Sequence, residues 1–380
     1  MTRVAVTSQV RFAGQTAYSG FFRVVDLDTG ETLLTEPVPE SSWRASDPNP
    51  RGGLRGAKGV SVSGERLAVA NSETVFALDS SWRILGAFTQ PFLGSIHDLL
   101  AEDDAIWVAC TNADLLLKLD WDGNELDRWS WRDDEQLVHG LGFRSLPRFD
   151  ADVDYRDPRA VQGGVYNVVH LNGVTRCPEG LLLGFGRVLS AAEVRRRRIR
   201  AVPGRLAARA GVQRGTSTRP TPLPTDFLPG SSSALVLLRE EGGPLDAGRA
   251  EILFRVSDVL VPNHNGLQAG DVLLYADSNG SRLVAVDRWS GRERCSVAIP
   301  GAPAFVRGLA ALESDVYLVG SQAPLALYAA DVRRGEIVAS YELRGAEHES
   351  VYAVCELSST FADPDASRGV FGSTSEHVTT

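Results

Sequence analysis

An all-β fold, a six-bladed β-propeller, is what this sequence predicts, and three observations predict it. Short apolar strands bounded by Asp, Asn and Gly turns come in groups of four, as in residues 94–131, GSIHDLLAEDDAIWVACTNADLLLKLDWDGNELDRWSW. Such strands make a meander of antiparallel hairpins, and one small sheet of this kind cannot bury both its faces alone. The group recurs at 57–88, 263–298 and 305–343, each time with a third strand that closes on an aspartate: Asp79, Asp120, Asp287 and Asp331. The step is 41 residues from Asp79 to Asp120 and 44 from Asp287 to Asp331, which is the period of a four-stranded blade.

The remaining elements follow in order. Between Asp120 and Asp287 lie 167 residues, two steps plus about 80. A blade interrupted by insertions accounts for them, with strands at 168–174, 181–188, 232–241 and 250–256. The first insertion, 132–167, is polar and aromatic and reads as an irregular loop over one end of the domain. The second, 189–231, opens with a short helix and ends in a Thr/Pro/Ser tract. Long insertions in a regular repeat are usually functional covers or mobile segments. The sixth blade is split: SVYAVCEL at 350–357 is a first strand, and the N-terminal strands 3–10 and 21–36 supply the rest. A blade built from both chain ends clasps the ring and removes exposed edges. The expected domain is therefore 1–357, followed by a polar tail, 358–380.

Composition sets the class. At 380 residues, 43% hydrophobic and 23% charged, the chain suits one large repeat domain or two ordinary ones. A net charge of -9 disfavours general nucleic-acid binding. Cys110, Cys177, Cys295 and Cys355 are scattered, with no CxxC pair, and read mostly as buried thiols within strands. No apolar run has the length of a signal peptide or membrane span. A soluble, cytoplasmic protein without a membrane partner is the expectation. Lysine occurs only at Lys58 and Lys118, so the location of each carries information.

The repeat register then aligns an unusual set of residues. His97 lies nine residues before Ile106; counting back nine from Leu67 gives Lys58, and from Val316 gives Arg307. His264 sits eight before Val272, and His170 is one or two residues out of register. Five first strands thus begin with Lys58, His97, His170, His264 and Arg307, and His348 with Glu349 precedes the sixth. First strands line the central channel of a propeller, so these side chains are expected to face a common axis. A structural residue is usually repeated as one residue type, whereas these alternate among Lys, His and Arg. That much positive charge is also unfavourable without a counter-charge. A ligand-binding ring explains the set better.

Two chemistries fit. Lys58, Arg307 and His348, with Asn172 and Asn265 beside the histidines, make a pocket for a carboxylate, phosphate or sulfate. Alternatively His97, His170 and His264, the candidate catalytic groups, hold a divalent metal ion with an open position. Asp98, Asn172, Asn265 and Glu349 are candidate supporting or acid–base groups. The arginines at 195–198 and those following to 219 suit an acidic partner or nucleic acid, and equally a solvated helix face or a mobile lid. Gly-rich 52–56 does not link a strand to a helix and is no phosphate loop. His139 and His377 read as satisfied, half-buried structural residues.

The segments HDLL…IWVAC, HLNGV and FVRGLA, in that order, resemble a bacterial family of functionally uncharacterised propeller proteins, distantly similar to NHL-repeat and gluconolactonase-type propellers. The likeness covers most of residues 55–357 and implies the fold. It implies no reaction, since the Glu, Asn and Asp metal set of gluconolactonase-like enzymes has no residue-by-residue match here. His-rich channels are similar in propeller lyases, carotenoid-cleaving oxygenases and arylsulfate sulfotransferases, an analogy of fold alone. The expected function is lyase, hydrolase or transferase chemistry on a small anionic molecule. The competing expectation is a non-catalytic propeller that binds a protein or small-molecule partner.

Overall fold

The computed structural model describes residues 2–13, 17–46, 56–144, 149–161, 166–197, 199, 230–240, 249–301, 305–365, 369–371 and 378–379. Six small antiparallel sheets form the ring of a six-bladed β-propeller. Blade 1 joins Glu349–Glu356, as the inner strand, to Arg3–Val10, Gly20–Asp26 and Thr32–Pro37. Blade 2 runs from Val60–Ser63 out to Ile84–Phe88, and blade 3 from Ile96–Ala101 out to Glu125–Trp129. Blade 4 runs from Leu171–Cys177 to Ala250–Ser257, blade 5 from His264–Ala269 to Glu293–Ala298, and blade 6 from Arg307–Ala311 to Glu336–Glu342.

Period-two patterning explains why these strands need one another. In the strand Gly180–Val188 every residue is buried. Leu181, Leu183 and Phe185 enter the core shared with blade 3, and Leu182 enters the core shared with blade 5. Alternate side chains leave opposite faces, so each sheet is apolar on both sides. Among the described residues the buried apolar side chains form six clusters, one at each junction between neighbouring blades. The turn aspartates are equally local in origin. Asp79 Oδ1 accepts the backbone N–H groups of Ser81 and Arg83, and Asp120, Asp287 and Asp331 accept equivalent pairs. A short carboxylate can bond to backbone two residues ahead, which holds the tight turn.

Both insertions leave from the end of the ring where the inner strands begin. In the first, the helix Glu135–Gly140 is capped by Asp134, which accepts from Leu137 N at 2.9 Å and also from Ala250 N of blade 4. Further along, Tyr155 is fully buried and accepts Asn112 Nδ2 on its carbonyl at 3.1 Å. In the second, residues 191–197 are helical, as expected, while the Thr/Pro/Ser tract and the arginines after 200 lie outside the described residues. The C-terminal segment departs from the expected polar tail. Phe361, Val370 and Phe371 are buried in the core between blades 1 and 2, because those apolar residues cover Trp82 and Phe22. Val378–Thr379 pairs in parallel with the outer strand of blade 2. Among the described residues no helix is long and apolar enough to cross a membrane.

Candidate functional site

Every inner strand slips register within its first residues. In blade 3 Ile96 faces Cys110 and Asp98 faces Ala109, which leaves His97 over. Asn172, Asn265 and Gly308 are the odd residues in blades 4, 5 and 6, and Tyr352 in blade 1. In blade 2 both Lys58 N and Gly59 O bond to Ala70, which puts Gly59 in the same role. A bulge sets two residues against one, bends the strand and re-aims its side chains. At Gly59 a Cβ would come within 2.8 Å of Leu99 N, so glycine lets blades 2 and 3 close here. The single equivalent position implied by residue spacing therefore resolves into three. Lys58, His264 and Arg307 precede the bulge, His97 occupies it, and His170 stands one residue ahead of that row.

These offsets bring the side chains together. The rings of His97 and His170 lie 4.9 Å apart, and His97 lies 5.6 Å from the ring of Tyr352. Lys58 Nζ sits 4.5 Å and the Arg307 guanidinium carbon 4.9 Å from the Tyr352 ring centre. Lys58 also donates to Gln9 Oε1 at 3.2 Å. Lys58, His264, Arg307 and Tyr352 are buried, while His97 and His170 keep part of their surface accessible. Tyr352 completes the cluster from blade 1, and as a phenol it lies outside the pattern of basic residues. Its signal was an alignment: Ser350-Val351-Tyr352 matches Ser95-Ile96-His97.

Three expected residues are placed differently. His348 is half-exposed, with its ring edge-on to Phe12 at 5.6 Å and its Nε2 beside Glu347. It falls short of the cluster because Val351, not residue 348, enters the register opposite Ser8. Asn172 ties blade 4 to blade 5 by donating to Asn263 O at 2.7 Å. It lines a cavity of about 10 Å³ with Asn263 and Asn265, room for about one water. Asn265 bridges inward: its Oδ1 accepts Gly308 N at 2.9 Å, and its Nδ2 reaches Asp98 Oδ2 at 3.4 Å. Asp98 Oδ2 also accepts Val174 N at 3.1 Å, so blades 3 to 6 meet one step further along the inner strands.

Neighbouring elements hold the heads in place. Asp114, fully buried, accepts backbone N–H groups from Val168, Val169 and Leu171 and so fixes both sides of His170. The helix of the second insertion supplies Glu193, which pairs with Arg187 at 2.8 Å and with Arg197 at 3.0 Å. Arg197 donates to Asn167 O at 3.2 Å, and the Asn167 side chain contacts His170 Nδ1. Glu349, in turn, forms a buried pair with Arg23 at 2.6 Å.

The electrostatics follow from burial and crowding. Burial, then the neighbouring cations, lowers all three imidazoles: His170 to about 3, and His97 and His264 well below the usual range. They are neutral at neutral pH. Ser278 Oγ donates to Val306 O at 3.0 Å, so it accepts from His264 Nδ1–H at 2.9 Å. The lone pair is then on His264 Nε2, which is buried without a partner among the described residues. His97 Nδ1 lies 2.9 Å from Ser95 O and must donate, which leaves its Nε2 as the acceptor too. Burial also lowers Arg307, against which the Tyr352 phenol is the opposing influence. Among the described residues no carboxylate pairs with Arg307. Asp98 is pushed up to about 7 by burial, despite its three hydrogen bonds.

Among the described residues no group of three His, Cys, Asp or Glu is arranged to hold a metal ion, and His97, His170 and His264 are among those residues. Lys58 and Arg307 beside the imidazoles also oppose a divalent cation.

Fold and cluster together define the class: a six-bladed β-propeller whose inner strands begin with a basic and aromatic cluster. No family model and no curated protein matches the sequence. A protein of unknown function from Bacteroides caccae is similar over 94% of this chain and 98% of that one, with a TM-score of 0.52 and 12% identity. That likeness carries the fold. A streptogramin B lyase covers 80% of this chain and 72% of its own, with a TM-score of 0.42 and 13% identity. The nidogen/laminin complex covers 93% and 98%, with a TM-score of 0.47 and 10% identity.

Proposed function

We propose that the cluster lines a ligand site at the head of the propeller axis and binds a small anionic molecule. The carrying observation is Arg307: a buried guanidinium that lies over the rings of Phe305 and Tyr352 and whose charge lowers His170 and His264, but which among the described residues pairs with no carboxylate. An unbalanced buried charge is costly, and an anionic ligand with charge-assisted bonds offsets that cost. His97 and His264 then have a chemical task. Neutral imidazoles with acceptor Nε2 atoms can take a hydrogen bond, and a bound anion restores the basicity that burial and the cations remove, which fits proton removal in lyase, hydrolase or transferase chemistry. The metal scheme lacks an equivalent basis, and metal analysis of the purified protein with His97→Ala and His264→Ala controls decides it.

Binding of acetate, succinate, phosphate and sulfate by calorimetry tests the proposal. Arg307→Gln is expected to weaken every anion that binds by about tenfold or more, the value of a charge-assisted hydrogen bond. Equal affinities in the wild type and a correctly folded Arg307→Gln variant would overturn it, and favour the non-catalytic partner-binding reading.

A further inference from the structure

We infer that the anionic ligand also carries a hydroxyl group, as a hydroxy-carboxylate does, and that this hydroxyl donates a hydrogen bond to His264 Nε2 while the anionic group lies at Arg307. This rests on the anion-binding reading above and narrows its substrate class. The observation is a pair of buried polar atoms of opposite kind at the heads of neighbouring blades. Arg307 Nε, a donor, and His264 Nε2, an acceptor, have no hydrogen-bond partner among the described residues. Both residues are more than nine-tenths buried, with 8% and 3% of their surface exposed. A buried polar atom that has lost its hydration and gained no partner is costly, so a ligand that satisfies both atoms is favoured.

Hydrogen bonds on the other edge of the imidazole hold its orientation. His264 Nδ1–H donates to Ser278 Oγ at 2.9 Å, and Ser278 Oγ donates to Val306 O at 3.0 Å. Val306 is the residue before Arg307, so the chain of bonds that holds the imidazole also ties it to the start of the blade 6 inner strand. His264 and Arg307 stand at the same position, immediately before the bulges of adjacent inner strands. Burial and then the charge of Arg307 oppose a second proton on the ring, so Nε2 keeps its lone pair. His97 supplies the contrast. Its Nε2 is an acceptor too, but that ring keeps part of its surface accessible, where water can donate to it.

The surrounding charges decide which kind of donor fits. An ammonium group, as on an amino acid, would add positive charge where Arg307 and Arg11 already disfavour a proton on His264. A hydroxyl donates without bringing charge. The Arg307 guanidinium lies over the rings of Phe305 and Tyr352, an arrangement that holds it by its face and turns its N–H edge to a carboxylate or phosphate. A hydroxylated anion thus meets the donor and the acceptor together, whereas the same anion without its hydroxyl leaves His264 Nε2 unsatisfied.

Calorimetry at neutral pH on matched pairs tests this: acetate with glycolate, propionate with lactate, butyrate with 3-hydroxybutyrate, and alanine against lactate. In at least one pair the hydroxy acid is expected to bind wild-type protein about tenfold tighter than its partner, and lactate tighter than alanine. His264→Asn keeps an amide near Ser278 and removes the outer acceptor, so it should bring the members of each pair to equal affinity. His264→Gln, whose amide oxygen can reach the Nε2 position, should restore part of the preference. Melting temperatures confirm that both variants fold. If the wild type binds the members of every pair alike, or its preference survives His264→Asn, while Arg307→Gln weakens all of them, the hydroxyl inference falls and the anion site stands. If Arg307→Gln changes none, or the wild type binds none of these probes, both fall.

Discussion

His170 stays neutral because burial, Arg307, Arg187, Arg197 and Lys58 all oppose its proton, which places its folded-state value at about 3. In the unfolded chain the same imidazole takes a proton at about 6.5. Between those values the unfolded state binds a proton that the folded state refuses, so stability falls as pH drops through this window. Asp98 has the opposite sign. Its folded value of about 7 lies above the ordinary carboxyl range, so it holds a proton between pH 4 and 7 that the unfolded chain has released. Asp98 therefore costs stability as pH rises, and the total slope mixes it with the three buried imidazoles. A single substitution separates them. Urea unfolding of His170→Gln at intervals from pH 7 to pH 4.5 should give a flatter acid dependence than wild type. The difference should approach one proton, about 1.4 kcal/mol per pH unit. Parallel curves would mean that His170 titrates in the folded protein as it does in water.

Strands and turns differ in how much of themselves they write locally. The blades were legible because each turn aspartate must sit two to four residues before the backbone N–H groups it captures, as Asp79 and Asp120 do. That constraint is visible as a repeated spacing. The bulges were not legible, since they depend on which N–H meets which carbonyl on the neighbouring strand. Lys58 and His97 therefore looked equivalent when Gly59 is the true counterpart of His97. The contrast between Tyr352 and His348 has a related cause: a pattern of charges points to His348, whereas the register supplies the phenol of Tyr352. Asp114 was equally hidden, because its partners at residues 168–171 lie more than 50 positions away. It is nonetheless the main local support of His170. Asp114→Ala leaves three buried N–H groups without their acceptor and removes the carboxylate facing Arg132 at 3.7 Å. The expected loss is about 3–5 kcal/mol by urea unfolding, accompanied by weaker anion binding. A loss under about 1 kcal/mol would show that water or the local backbone replaces the carboxylate.

At the scale of the whole molecule the ring has no private cores. Each buried cluster is shared by two blades, and hydrogen bonds tie the head of each blade to the next. Thr7 Oγ1 donates to Lys58 O, Ile96 N to Ser72 O, Thr111 Oγ1 to Leu171 O, Asn172 Nδ2 to Asn263 O, Ser278 Oγ to Val306 O and Val351 N to Ser321 O. An open array of repeats can unfold from its ends, because a terminal repeat has one neighbour only. Here the pairing of Arg3–Val10 with Glu349–Glu356 gives every blade two neighbours. The C-terminal segment strengthens that seam. Phe361 packs on Trp82 with ring centres 5.2 Å apart, and Ala362 O accepts from both Arg3 and Trp82 Nε1. Opening the seam exposes the cores on either side of blade 1, and the loss then passes to their neighbours. Phe361→Ala, at the seam, and Leu182→Ala, between blades 4 and 5, should therefore lower one shared unfolding transition. The expected costs are about 3–5 and 2–5 kcal/mol. Far-UV circular dichroism and tryptophan fluorescence should report the same midpoint for each variant. Two separated transitions in Phe361→Ala, with blade 1 leaving first, would show that the ring unfolds as an open array despite its closure.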